Sequence, residues 1–177
     1  MKWIYYISAI SVLTACSIKY SFNGGKVPNG AKTIQIDNFP VADSAPLASG
    51  LTSQSFTEAL RDVFLSQTKL SFVTDTGNLH FSGEIDRYSI SPVNISSTSE
   101  TAAQNRLTIG VNLNYYMFTY TSDSPSSKVD SLIFNRKFSR FADYDSNSDF
   151  TSIEEDLLSE INDQLTQDIF NASLGDW

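Results

Sequence analysis

The residue with the most definite chemistry is Cys16, the single cysteine of the 177-residue chain. It closes Leu13-Thr14-Ala15-Cys16, and before it run Lys2 and the apolar segment Trp3 to Val12. A charged start, a short apolar stretch and small residues ahead of a cysteine make the lipobox of a lipoprotein signal peptide. Only a thiol takes a diacylglyceryl group as a thioether, and small neighbours admit the peptide to the signal peptidase. Cleavage after Ala15 frees the amino group of Cys16 for a further acyl chain. The apolar run is shorter than the ~20 residues that a membrane-spanning helix needs. Residues 1–15 are therefore expected to be removed, and acyl chains at ~0.8 kcal/mol per buried methylene to hold the remainder on a membrane. Ser17 follows the cysteine, with neither an Asp retention signal nor an acidic export run behind it. That places the mature chain on the inner leaflet of an outer membrane, facing the periplasm.

A second group of candidates is acidic. Asp143, Asp145, Asn147, Asp149 and Glu154 fall at positions 1, 3, 5, 7 and 12 of an EF-hand calcium loop counted from Asp143. Against calcium, Ser148 stands where the sharp turn wants Gly, and the segment before Asp143 reads as a strand. Asp149 and Glu154 also fit the start of a helix, where the dipole favours acid. No metal or other cofactor is required by the sequence.

The third group is basic. Arg136 and Arg140 alternate with Phe134 and Phe138, while Lys137 points the other way beside Phe141. Guanidinium grips phosphate bidentately and rings cover acyl or sugar surface, so Arg136, Lys137 and Arg140 are the candidate contacts for an anionic lipid. The competing reading pairs these cations with nearby acids such as Asp143 and Asp145 on a solvated face, where ion pairs are common and worth little. Catalysis has no comparable set of residues. His80 is the sole histidine and lies within an alternating strand, and neither a Gly-rich phosphate loop nor HExxH occurs. No catalytic residue is assigned.

These groups must be held by elements, and the pattern supplies them. Ser17 to Lys32, rich in Gly and Pro, reads as a tether. Lys32 to Phe39 alternates polar and apolar residues, as a half-buried strand does, and Pro40 stops it. Phe56, Leu60, Val63 and Phe64 make one stripe on a helix from Leu51 to Gln67, with Ser55 and Glu58 as a capping box, or Thr52 or Ser53 if it starts earlier. A short strand over 70–74 and a turn at 75–78 follow. Leu79 to Ile85 alternates, and the phase slips by one before Tyr88 and Ile90, which predicts a β-bulge near Asp86-Arg87. Residues 91–104 read as a long connection. Arg106 to Thr121 is the clearest strand, with Leu107, Ile109, Val111, Leu113 and Tyr115 on one face and Thr108, Gly110, Asn112 and Asn114 on the other. After Tyr116 the even face carries Phe118 and Tyr120. A turn at 123–127 returns the chain as a partner strand over 130–141. The last helix, Ser152 to Asn171, opens on a Ser152/Glu155 capping box and carries Ile153, Leu157, Ile161, Leu165 and Ile169 on one stripe. The fold class is α+β: a mostly antiparallel sheet of about four strands with two helices on one face.

The chain divides into a signal peptide (1–15), a lipidated tether (16–31) and one domain (32–177). Its net charge is −8, or −9 once Lys2 is gone, which disfavours nucleic acid as a partner. Apolar residues make up 41%, enough for a core of ordinary size.

Several stretches resemble the LptE family of lipopolysaccharide-assembly lipoproteins in its Bacteroidota branch. They are Tyr20-Ser21-Phe22-Asn23-Gly24, Gly30-Ala31-Lys32-Thr33-Ile34, Phe56 to Asp62, Phe81-Ser82-Gly83-Glu84-Ile85, Asn105 to Ile109, Phe138 to Asp143, and Gln164 to Asn171. The likeness covers nearly the whole mature chain, and the fold of that family agrees with the pattern above. It implies a non-enzymatic role: a plug in the lumen of LptD, an outer-membrane β-barrel, helping that barrel assemble and deliver lipopolysaccharide to the outer leaflet. A polar domain surface suits the polar lumen of a large barrel. The alternative is an unrelated periplasmic lipoprotein that binds glycan or peptide, its folding supported by calcium.

Overall fold

The computed structural model describes residues 27–93, 104–120 and 128–175. Cys16 and the segments before it, most of the 91–104 connection and the 123–127 turn lie outside these. The elements are β1 (Thr33–Ile36), α1 (Gly50–Gln67), β2 (Ser71–Phe72), β3 (Leu79–Val93), β4 (Gln104–Tyr120), β5 (Lys128–Asp145) and α2 (Phe150–Leu174). They form one five-stranded sheet in the order β2-β1-β3-β4-β5. The three long strands are antiparallel, whereas β1 runs parallel to both β2 and β3. The class is α+β as the pattern implies, with one more strand than expected.

The extra complexity sits at the short end. The connection 73–78 crosses β1 on its polar side and returns to the level of Ile34, so β1 is inserted between its two successors. Asn78 holds this crossing: its Oδ1 accepts from the backbone N–H of Lys32 and Thr33, and its own N–H donates to Thr33 Oγ1. The first strand is shorter than the alternation suggests. After Ile36 the chain turns to dock on α1, where Thr57 Oγ1 accepts from the Phe39 N–H at 3.2 Å and Ser53 Oγ donates to the Phe39 carbonyl at 2.6 Å. Pro40 has no N–H to continue a ladder, but its carbonyl accepts from Ile85.

The expected bulge is present. Ile85 faces Val111 and Arg87 faces Gly110, leaving Asp86 as the extra residue. A second bulge interrupts β5, where Tyr115 faces Phe134 and Tyr116 faces Leu132, with Ile133 extra. β4 itself keeps its alternation beyond Tyr116. Tyr116 and Phe118 both lie on the polar side with His80, at ring-centroid distances of 5.9 and 5.8 Å, so the apolar residues on even positions there mark the other face of the sheet.

Both helices cover the same face. Phe56, Leu60 and Phe64 of α1 and Leu157, Ile161, Leu165 and Ile169 of α2 are buried against the apolar side of β3, β4 and β5. An aromatic chain runs through this core: Phe170 and Phe64 centroids lie 5.2 Å apart, Phe64 and Phe81 4.9 Å, and Phe81 stacks on Tyr115 at 4.6 Å. Such pairs add to area burial. The helix starts differ from the expected caps. Ser49 caps α1, its N–H donating to Thr52 Oγ1, and Ser55 instead accepts from Asn162 of α2. Asp149 caps α2 by accepting from the Thr151 N–H. Ser152 is already inside that helix, donating to the Asp149 carbonyl.

Candidate functional site

With both helices on one side, the opposite side of β3, β4 and β5 carries no described helix or strand, the connection 73–78 crossing only β1. It presents Ser82, Glu84, Thr108, Asn112, Asn114 and Asn135, which are half-buried or exposed. Their positions follow from the period of two: each is the strand neighbour of a buried apolar residue, or for Asn135 of the partly buried Phe134. Asn135 Nδ2 donates to Asn114 Oδ1 at 2.6 Å and Asn112 Oδ1 at 3.3 Å, linking the amides across β4 and β5.

The basic candidates divide between the two faces. Arg140 lies on the helix side and binds Asp168 of α2 through Nε at 2.6 Å and Nη2 at 2.9 Å. Those hydrogen bonds raise the already high affinity of its guanidinium for a proton. Arg136 is also on the helix side, over the Phe134 ring at 5.1 Å from its centroid, with no ion pair among the described residues. Lys137 points to the open side and pairs with Asp86 Oδ2 at 2.6 Å. This reach from β5 to β3 passes over Gly110 of β4, which has no side chain to block it. Three cations on one strand thus serve two surfaces, and two of them are engaged by carboxylates.

The acidic candidates do not assemble into a calcium loop. Asp143 takes two hydrogen bonds from Arg106, at 2.7 and 2.8 Å. These hold its carboxyl below the ordinary carboxylate range. Arg106 at the same time covers the Phe141 ring at 3.6 Å. Asp145 accepts from the backbone and side chain of Asn147, Asp149 caps α2, and Glu154 accepts from Tyr88 at 2.8 Å. Burial, and then that bond to Glu154, push the Tyr88 phenol up. Burial alone raises Tyr115 to about 12. Among the described residues no group of three or more His, Cys, Asp or Glu side chains could hold a metal ion. His80 binds Asp37 Oδ2 at 2.7 Å through Nε2, packed near Tyr116 and Phe118, with no nucleophile in that set.

Some of this was hidden from sequence reading. The Asn112/Asn114 alternation was legible on β4, but Asn135 joins it only through strand register. Asp86 as the partner of Lys137 depends on the bulge, and Arg106–Asp143 on a pairing between residues far apart in the chain.

Fold and surface define a two-layer α+β domain with a polar sheet face and a long charged edge strand. Solved structures share the fold at low identity. One from Xanthomonas campestris aligns with a TM-score of 0.52 at 12% identity, covering 85% of this chain and 89% of that one. A Helicobacter pylori protein described as a homolog of a neuraminyllactose-binding hemagglutinin aligns at 0.51 and 11%, covering 84% and 88%. Rare lipoprotein B from Shewanella oneidensis aligns at 0.45 and 12%, covering 80% and 92%. No curated protein matches the sequence. The family model LptE, described as lipopolysaccharide-assembly, matches residues 31–173. The chain belongs to the LptE family.

Proposed function

We propose that the mature chain is a lipid-anchored outer-membrane component that binds, plugs and helps assemble an LptD-type β-barrel for delivery of lipopolysaccharide to the outer leaflet. The observation that carries this reading is family membership along residues 31–173, nearly all of the folded domain. Residues 1–15 are its signal peptide, 16–31 its lipidated tether and 32–177 its working domain. Val27 and Ala31 pack against the core, so the end of the tether is docked on the domain. No helix among the described residues is long and apolar enough to cross a membrane; Cys16 provides the attachment from the periplasmic side.

The bare sheet face supports the plug role, because the lumen of a large barrel is polar and wet and amides and hydroxyls meet such a wall without a desolvation penalty as large as that of buried charge. Arg136, Lys137 and Arg140 are the contacts for lipopolysaccharide phosphates. Arg136 binds first, since Lys137 and Arg140 must exchange Asp86 and Asp168 for the ligand. The reading needs no metal and no catalytic residue. Depletion of the protein is the test: the barrel should lose its folded, heat-modifiable form and surface lipopolysaccharide should fall. Unchanged barrel folding and unchanged surface lipopolysaccharide would overturn the reading.

A further inference from the structure

The two ends of the sheet are unlike. One ends in β2, two residues long. The other ends in β5, eighteen residues long, or about 60 Å at ~3.3 Å per residue. Among the described residues β5 pairs only with β4. From Phe134 to Asp145 it keeps an unbroken register with β4, so its outer edge is a regular row of backbone donors and acceptors that no described strand pairs. Edge strands are usually blunted by shortness, proline, a bulge, charged side chains or a covering element; among the described residues this segment has only its charges.

The charged side chains of this segment are all basic, and with Lys137 and Arg140 paired to Asp86 and Asp168, Arg136 is the one with no ion pair among the described residues. Arg136, Lys137 and Arg140 stand within Phe134 to Ala142, which holds no acid, in a chain whose net charge is −8. Phe141 is 45% exposed, and Leu132, just before this stretch, 54% exposed. Two copies joined antiparallel about Phe138 would set Arg136 against Arg140 of the other, and like charges directly opposite destabilise a ladder. An extended segment with carboxylates at adjacent positions would instead meet Arg136 on one face and Lys137 on the other.

We propose that the outer edge of β5 accepts an acid-bearing extended segment of a partner protein as a sixth strand. Main-chain hydrogen bonds supply the affinity, the cations fix its register, and Phe141 and Leu132 take its apolar residues. This goes beyond the reading above and holds whether or not the partner is the barrel; the partner's carboxylates and lipopolysaccharide phosphates compete for the same cations.

The test is photo-crosslinking in native membranes with the full chain carrying p-benzoylphenylalanine at Asn135 or Ser139 on the edge strand, or at Ser66 on α1 as a control. Crosslinks from Asn135 and Ser139 are expected to map to one carboxylate-bearing segment, to residues about four apart along it, as paired strands require. Amides of 134–142 should exchange more slowly in the isolated complex than in the free chain. Arg136→Glu should cut the yield about fivefold or more while leaving Tm in place. If that variant unfolds, Arg136→Gln replaces it and a smaller cut in yield is expected. Crosslinks only to a second copy, only to lipid, scattered over several proteins, or absent would overturn the proposal, as would a folded Arg136→Glu or Arg136→Gln chain with unchanged yield.

Discussion

Gly110 sits beneath the β3 bulge, and replacing it with alanine measures how tightly that bulge is packed. A Cβ there would lie 2.9 Å from both Arg87 Cβ and Asp86 Oδ1. Contacts that close force a shift of several tenths of an ångström, and overpacking of this kind costs about 1–3 kcal/mol. Alanine narrows the unfolded ensemble and returns about 0.4–1 kcal/mol. Displacing Asp86 from Lys137 adds little, since Lys137 is 72% exposed and surface pairs are worth about 0–1 kcal/mol. The net loss for Gly110→Ala is therefore about 1–2 kcal/mol, or about 2–8 °C in Tm at ~2–4 °C per kcal/mol for a domain of this size. Urea and thermal denaturation followed by circular dichroism give both numbers. Adding Asp86→Ala removes one of the two obstacles, so the double variant should lose less than the sum of the singles. Gly83→Ala is the harsher companion: its Cβ would strike the Asn112 carbonyl and lie 2.9 Å from the Phe39 ring. A backbone obstacle cannot swing aside, so about 3 kcal/mol or more is expected there. A Gly110→Ala chain with unchanged Tm, or strict additivity with Asp86→Ala, would refute the packing of Asp86 and Arg87 over Gly110.

Asn162 is 1% exposed and its Oδ1 has no partner, while its Nδ2 donates to Ser55 Oγ at 2.9 Å. Asn162→Leu with Ser55→Ala should be neutral or stabilising by up to about 1 kcal/mol in urea midpoint, because an unmet buried acceptor is removed with its neighbour; a loss above about 2 kcal/mol would contradict this. Asp143 has its carboxyl depressed by Arg106, so the pair contributes stability above the ordinary carboxylate range near ~3.9 that is lost as pH falls through the lower folded value. Arg106→Gln should flatten that acid limb of the stability–pH curve, and an unaltered limb would show that the pair contributes nothing. Chelation followed by millimolar calcium should leave Tm unchanged, whereas a micromolar site would add about 4 kcal/mol by mass action.

The helices and long strands were legible because each repeats its own period over many residues. Leu157, Ile161, Leu165 and Ile169 fall every fourth position, and Leu107 to Tyr115 every second, and in both cases these are buried. The bulge at Asp86 was legible too, since one extra residue shifts every later side chain to the other face. β5 runs beyond the expected 130–141 at both ends, because those ends carry Lys128, Asp143 and Asp145, charged residues that stand on an edge strand as readily as on a turn. The place of β1 between β2 and β3 was not legible at all: Asn78 fixes it through contacts with Thr33, 45 residues away. The basic strand was visible, but its division between two faces and its carboxylate partners needed the register of three strands. The other partners of the calcium candidates were hidden in the same way: Asp143 binds Arg106, Asp149 caps α2 and Glu154 accepts from Tyr88.

Whether this domain works inside a barrel is answered by weighing it in company. The tagged chain, extracted from native membranes in mild detergent and examined by native mass spectrometry, should appear as one copy bound to one large outer-membrane barrel, with acyl mass on Cys16 at its N-terminus. A free monomer, or a chain still carrying residues 1–15 and no acyl group, would contradict it.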